Sequence, residues 1–144
     1  MIDADLLLAD LQDELGRFTA DLGVRVAEEP DVRERLEGEW RKAFDAQRTG
    51  RSFEEWLDDR LTQVAVAWLL GCVFVRFCED NGLVDEAGIA GLGSRGGEAR
   101  EAQRRFFVEH PNLSDREFLQ TVFRSAASLR GLDGVLGEGE SPLW

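Results

Sequence analysis

The sequence predicts an all-α protein of about five helices around one central buried helix, Leu61–Asn81. Three observations carry that prediction. Apolar residues recur at intervals of three and four along most of the chain, which is the period of a helix with one inward face. Two capping signatures, Ser52-Phe53-Glu54-Glu55 and Ser114-Asp115-Arg116-Glu117, mark helix starts. Glycine and proline stand where helices should stop or begin. At 144 residues, 43% apolar and 32% charged, the chain fits a single globular helical domain, 1–144, with a modest core.

The first helix is expected over about residues 3–27. Asp3 and Asp5 suit its first turn, where the partial positive charge of the helix end favours carboxylates. Leu8, Leu11, Leu15, Phe18 and Leu22 follow at spacings of 3, 4, 3 and 4, a stripe little longer than two heptads. Such a stripe packs on its own domain or, alternatively, pairs with a second copy. Pro30 breaks the pattern and opens the next helix, in which Val32, Leu36, Trp40 and Phe44 recur every four residues. Thr49-Gly50 is expected to end it. Ser52 and Glu55 then cap a third helix bearing Phe53, Trp56, Leu57 and Leu61, which runs into twelve residues, Val64–Val75, without a charge. Twelve is too few for a bilayer span, which takes about 20. The run therefore reads as a helix buried on nearly all sides, ended by Asn81-Gly82. Only Val73–Phe77 would also serve as a strand.

Residues 83–97 form a glycine-rich loop expected to be flexible. A helix over about 98–110 places Ala99, Ala102, Phe106 and Phe107 on one face and stops before Pro111. Ser114 and Glu117 open the last helix, with Phe118, Leu119, Val122, Phe123, Ala126 and Leu129 inward. Residues 131–141 are glycine-rich and acidic, and are expected to be a flexible tail ahead of Pro142-Leu143-Trp144.

Charge narrows the function. There are 29 acidic side chains against 17 basic ones, a net charge of −12, so the chain by itself would repel DNA phosphates. Cys72 and Cys78 lie roughly 600° apart on one helix and cannot bridge each other. With no secretory signal at the N-terminus they are expected to be reduced core residues of a cytoplasmic protein. One histidine, His110, and no second cysteine pair leave no metal-ligand set. Gly91-Leu92-Gly93-Ser94-Arg95-Gly96 matches the G-x-G-x-x-G phosphate fingerprint in letters. The fingerprint needs a preceding strand, however, and none is expected here.

Arg76 interrupts the apolar run, and Glu79 and Asp80 lie three and four residues further on, within reach along a helix. These three residues are the candidates for an interdomain or partner contact; a structural ion pair is the alternative. Glu79 and Asp80 diverge by about 100°, so they do not make a catalytic dyad. No catalytic, cofactor-binding or metal-ligating residue is assigned.

The block Thr62–Leu83, T-Q-V-A-V-A-W-L-L-G-C-V-F-V-R-F-C-E-D-N-G-L, closely resembles the N-terminal region of the PglX family. Those proteins are adenine-specific DNA methyltransferases of phage growth limitation and type 2 bacteriophage exclusion (BREX) systems. The opening M-I-D-A-D-L-L-L-A-D-L-Q, the R-S-F-E-E-W-L-D-D-R and F-F-V-E-H-P-N-L-S-D-R-E-F-L stretches and the final S-P-L-W agree in order and spacing. F-V-R-F-C-E-D-N-G-L also looks like a helix found ahead of the catalytic domain in several adenine methyltransferases. The resemblance implies the N-terminal helical module of a longer enzyme, with S-adenosylmethionine as cofactor of the full-length protein. It implies as partners the catalytic remainder or other phage-defence proteins, DNA contact only through the whole enzyme, and no membrane. The family's methyl-donor loop and [N/D]-P-P-[Y/F] turn have no counterpart here, since no two of the three prolines are adjacent. The alternative is a free-standing acidic helical module that binds or inhibits a DNA-binding partner.

Overall fold

Six helices and no strand make up the described residues, 3–139 and 141–144 of a computed structural model. Met1 and Ile2 of the opening motif and Glu140 of the glycine-rich tail lie outside them. The helices are α1 (Ala4–Glu28), α2 (Pro30–Asp45), α3 (Phe53–Asp80), α4 (Arg95–Glu109), α5 (Asp115–Ala127) and the single turn α6 (Asp133–Leu136). The all-α expectation holds. By internal packing the chain divides into two compact units, Met1–Val66 and Ala67–Trp144, and α3 contributes residues to each.

In the first unit, the Asp3 carboxylate caps α1 by accepting from the Asp5 and Leu6 amides at 3.1 and 3.2 Å. Only Glu29 separates α1 from α2, and Pro30 stands in the first turn of α2, where its missing N–H costs no hydrogen bond. Val26, Leu36, Leu57 and Leu61 form the buried core, flanked by Leu22, Val32, Phe53 and Trp56. The expected stripe on α1 is therefore used at its C-terminal end, while Leu8 remains 55% exposed. α2 stops earlier than Thr49-Gly50. Gln47 takes the left-handed conformation (φ 56°), and the Arg48 amide closes back on the Ala43 carbonyl at 2.8 Å. Ser52 and Glu55 make the expected capping box: the Ser52 amide donates to the Glu55 carboxylate at 3.1 Å and the Glu55 amide to Ser52 Oγ at 3.4 Å.

In the second unit, Phe123 is fully buried among Val75, Ala126, Ala127, Leu136 and Leu143, with Trp68 edge-on at 5.3 Å between ring centres. α3 ends as Asn81-Gly82 predicts. Gly82 is left-handed (φ 65°), and the Leu83 amide reaches the Cys78 carbonyl at 2.9 Å. α4 begins at Arg95, three residues before the expected start. The Arg95 guanidinium donates to the Val84 carbonyl at 2.6 Å and fixes that turn. Ala99 is buried, and Phe106 and Phe107 meet Phe118 of α5 at 5.4 and 6.2 Å. The Ser114–Glu117 capping box opens α5. Beyond α5, the Gln120 amide donates to the Leu143 carbonyl at 3.0 Å and the Trp144 indole to the Leu136 carbonyl at 3.2 Å.

One correction concerns the central helix. Near-complete burial of the 64–75 run and its extension does not hold: Leu70 and Phe77 are each 55% exposed, and Val73 and Phe74 each 37%. These four residues fall at i, i+3, i+4 and i+7, one face of the helix. Within the second unit that face is left bare, while Phe123, Leu136 and Leu143 pack around Val75 and α6 borders the bare face along one edge.

Candidate functional site

The end of α3 separates the three acid and base residues into two different roles. Arg76 Nε donates to Asp80 Oδ2 at 2.8 Å, an (i, i+4) pair with side chains 41% and 27% exposed. Glu79 does not join it. The 100° step of the helix turns Glu79 inward, where the residue is 1% exposed. There its carboxylate accepts three backbone hydrogen bonds from one loop: Gly88 N and Ile89 N on Oε1 at 2.6 and 2.8 Å, and Ala90 N on Oε2 at 2.8 Å. A carboxylate taken out of water is tolerated only when its lone pairs are filled, and here they are. The expected Arg76–Glu79–Asp80 cluster is thus a half-exposed ion pair beside a separate buried loop clamp.

The loop that Glu79 holds leads into Gly91–Gly96, the stretch matching a phosphate fingerprint. Its preceding segment is not a strand, and a side chain at Gly91 would collide with Cβ of Arg95. The turn closes onto the start of the helix that follows it, where the Arg95 amide donates to the Leu92 carbonyl at 3.2 Å and the Gly97 amide to the Ser94 carbonyl at 2.9 Å, so the strand-turn-helix setting of the fingerprint is not what these glycines build. The glycine loop of an S-adenosylmethionine site likewise follows a strand, and no strand precedes Gly91. Cys72 and Cys78 are both free thiols, and burial raises the pKa of each, which favours the protonated thiol over the thiolate. Among the described residues no group of three or more His, Cys, Asp or Glu side chains is placed to hold a metal ion.

What the second unit offers instead is apolar. The uncovered α3 face and α6 bound a groove of about 870 Å³. Leu70, Phe74 and Phe77 form one wall, with the two phenylalanine rings stacked 6.4 Å apart. Val135, itself 62% exposed, Pro142 and Leu143 form the other. Such a surface has no means of moving a proton or an electron pair. It can bind. The whole of α3, at 28 residues with an 18-residue window of mean hydropathy 1.8, is also long and apolar enough to cross a bilayer, which the twelve-residue run alone is not.

Over 109 residues, 76% of its length, the chain is 43% identical to the N-terminal region of the adenine-specific methyltransferase PglX of Streptomyces coelicolor. The likeness is to PglX. The match spans 9% of the PglX chain, so nine-tenths of PglX has no counterpart here. No family model and no solved structure matches the chain.

Two features of the second unit escape the sequence reading, the open α3 face and the Glu79 clamp. The open α3 face was hidden because a run that is apolar all round carries no record of which side is left bare. The deficit could have been seen by counting partners: α5 supplies one strong apolar stripe, too little to enclose a helix like α3. The Glu79 clamp had a fainter signal, an acid just before a glycine-rich loop whose amides lacked any acceptor in a helix or sheet.

Proposed function

We propose that this chain is the N-terminal helical domain of a PglX-like adenine-specific DNA methyltransferase of bacterial phage defence. Its role is to scaffold the catalytic portion or to contact a partner protein. The observation that carries the proposal is the 43% identity over 109 residues to the N-terminal region of PglX. The residues themselves support a non-catalytic role. Glu79 is spent on backbone amides, no strand precedes the Gly91–Gly96 turn, and no two prolines in the sequence are adjacent, as an adenine-binding turn would need. The net charge of −12 supports a reading in which DNA contact is made by the rest of the enzyme. S-adenosylmethionine likewise belongs to the catalytic portion, and the cytoplasm is where such an enzyme meets its DNA.

The test is methyl transfer from labelled S-adenosylmethionine to DNA. The chain alone should give no product above the protein-free blank, whereas the product of a reading frame that continues past residue 144 into a catalytic domain should methylate adenine. Adenine methylation by the 144-residue chain alone would overturn the proposal.

A further inference from the structure

The uncovered face of α3 calls for an occupant. Four large apolar side chains at helical spacing, 37–55% exposed, face a groove whose far wall is also apolar. A contiguous surface of this kind marks an interaction site more often than a solvated one. We infer that the groove receives an amphipathic helix from the part of the methyltransferase that follows this region in the full-length chain. This inference rests on the PglX-like reading above.

Three observations favour that occupant. First, the matched region is 9% of PglX, so the covering material is available within one polypeptide. Second, Pro142 and Leu143 line the groove, so in a protein built like PglX the chain beyond residue 144 starts at its rim. A tethered helix there meets the groove at an effective concentration on the order of millimolar, enough for a modest apolar contact to stay closed. Third, the wall residues repeat at i, i+3, i+4 and i+7, and an antiparallel or crossing helix with the same apolar spacing fills such a surface ridge into groove. A second copy of the chain is disfavoured, because each copy brings a net charge of −12.

Hydrogen exchange compares the 144-residue chain with the full-length methyltransferase. Amides of residues 70–77, 134–136, 141 and 143 should exchange roughly tenfold or more slowly in the full-length protein, with little change at residues 4–28. Leu70→Glu and Phe77→Gln should leave the helicity and melting of the 144-residue chain unchanged, since both side chains are 55% exposed, yet abolish the added protection in the full-length protein. Equal exchange in the two proteins would overturn the inference. So would protection of the isolated chain that rises with its own concentration, which would assign the groove to a second copy. Flotation of the isolated chain with phosphatidylglycerol vesicles, lost in Leu70→Glu, would assign it to a lipid surface and also overturn it. A full-length protein that protects these residues but methylates no adenine would retain the docking and reject the methyltransferase reading.

Discussion

Replacing Glu79 by glutamine keeps its shape and removes its charge, and the geometry around it dictates an uneven loss. Oε1 serves the Gly88 and Ile89 amides, and Oε2 serves Ala90 alone. The glutamine oxygen keeps the larger set by standing where Oε1 stood, which leaves its NH2 group facing the Ala90 N–H, donor against donor. The two retained bonds fall from charge-assisted to neutral, a loss of about 1 kcal/mol each, and an unsatisfied Ala90 amide costs about 1–3 kcal/mol more. Removing a buried charge returns part of that sum, because its desolvation penalty disappears as well. The net expectation is a destabilisation of about 2 kcal/mol, or roughly 6 °C in melting temperature for a chain of this length. Glu79→Ala strips all three amides and should cost about 3–5 kcal/mol.

Amide hydrogen exchange reads this residue by residue. In Glu79→Gln, Ala90 should lose its protection while Gly88 and Ile89 retain most of theirs; in Glu79→Ala all three should exchange as in an open loop. Uniform behaviour of the three amides in the glutamine variant, or melting unchanged from the parent protein, would refute the clamp.

Three further outcomes follow from the same structure. Phe123→Ala empties the centre of the second unit, where Phe123 is fully buried, and should cost about 3–5 kcal/mol, measured by urea denaturation. Glu55 and Glu117 are each held below the ordinary glutamate pKa, Glu55 chiefly by the Ser52 amide and Glu117 chiefly by the Ser114 hydroxyl. A depressed folded-state pKa means that their stabilisation is complete above the unfolded value of about 4.3 and is lost as pH falls through the folded value. The melting temperature should therefore drop on acidification below about pH 4.3, and the drop should be shallower in Ser52→Ala plus Ser114→Ala. Arg76→Met breaks a pair whose arginine is 41% exposed and should change the stability of the 144-residue chain by less than about 1 kcal/mol, again by denaturation.

Local chemistry was the part of the fold that the sequence made legible. Asp3, Pro30, Ser52, Ser114 and Gly82 each act through atoms a few residues away, so the helix ends they define could be named without a structure. α2 shows the limit. Thr49-Gly50 looked like the stop, but the chain turned at Gln47, where the Arg48 amide could already close on Ala43. Arg95 shows it again, because its bond to the Val84 carbonyl crosses eleven residues and no local rule announces it. The three candidate contact residues, Arg76, Glu79 and Asp80, do not act as one group. Spacing alone allows Arg76 to meet either acid, and only the presence of three free amides in the 88–90 loop decides that Glu79 turns inward.

α3 carries the same lesson into function. Its N-terminal half obeys an amphipathic pattern, and Leu57 and Leu61 are buried where that pattern places them. From Val64 to Val75 it abandons the pattern and is apolar in every direction, although its own unit covers only the side around Val75. A soluble helix with no polar face stays in water only at a cost of roughly 25 cal/mol for each Å² of bare apolar surface. Residues such as Leu70 and Phe77 would be replaceable by lysine or glutamate if nothing ever covered them. Leu70 lies ahead of the half-exposed Arg76–Asp80 pair and Phe77 between its two members, so the bare apolar patch has a polar rim at one end, the arrangement common at interfaces.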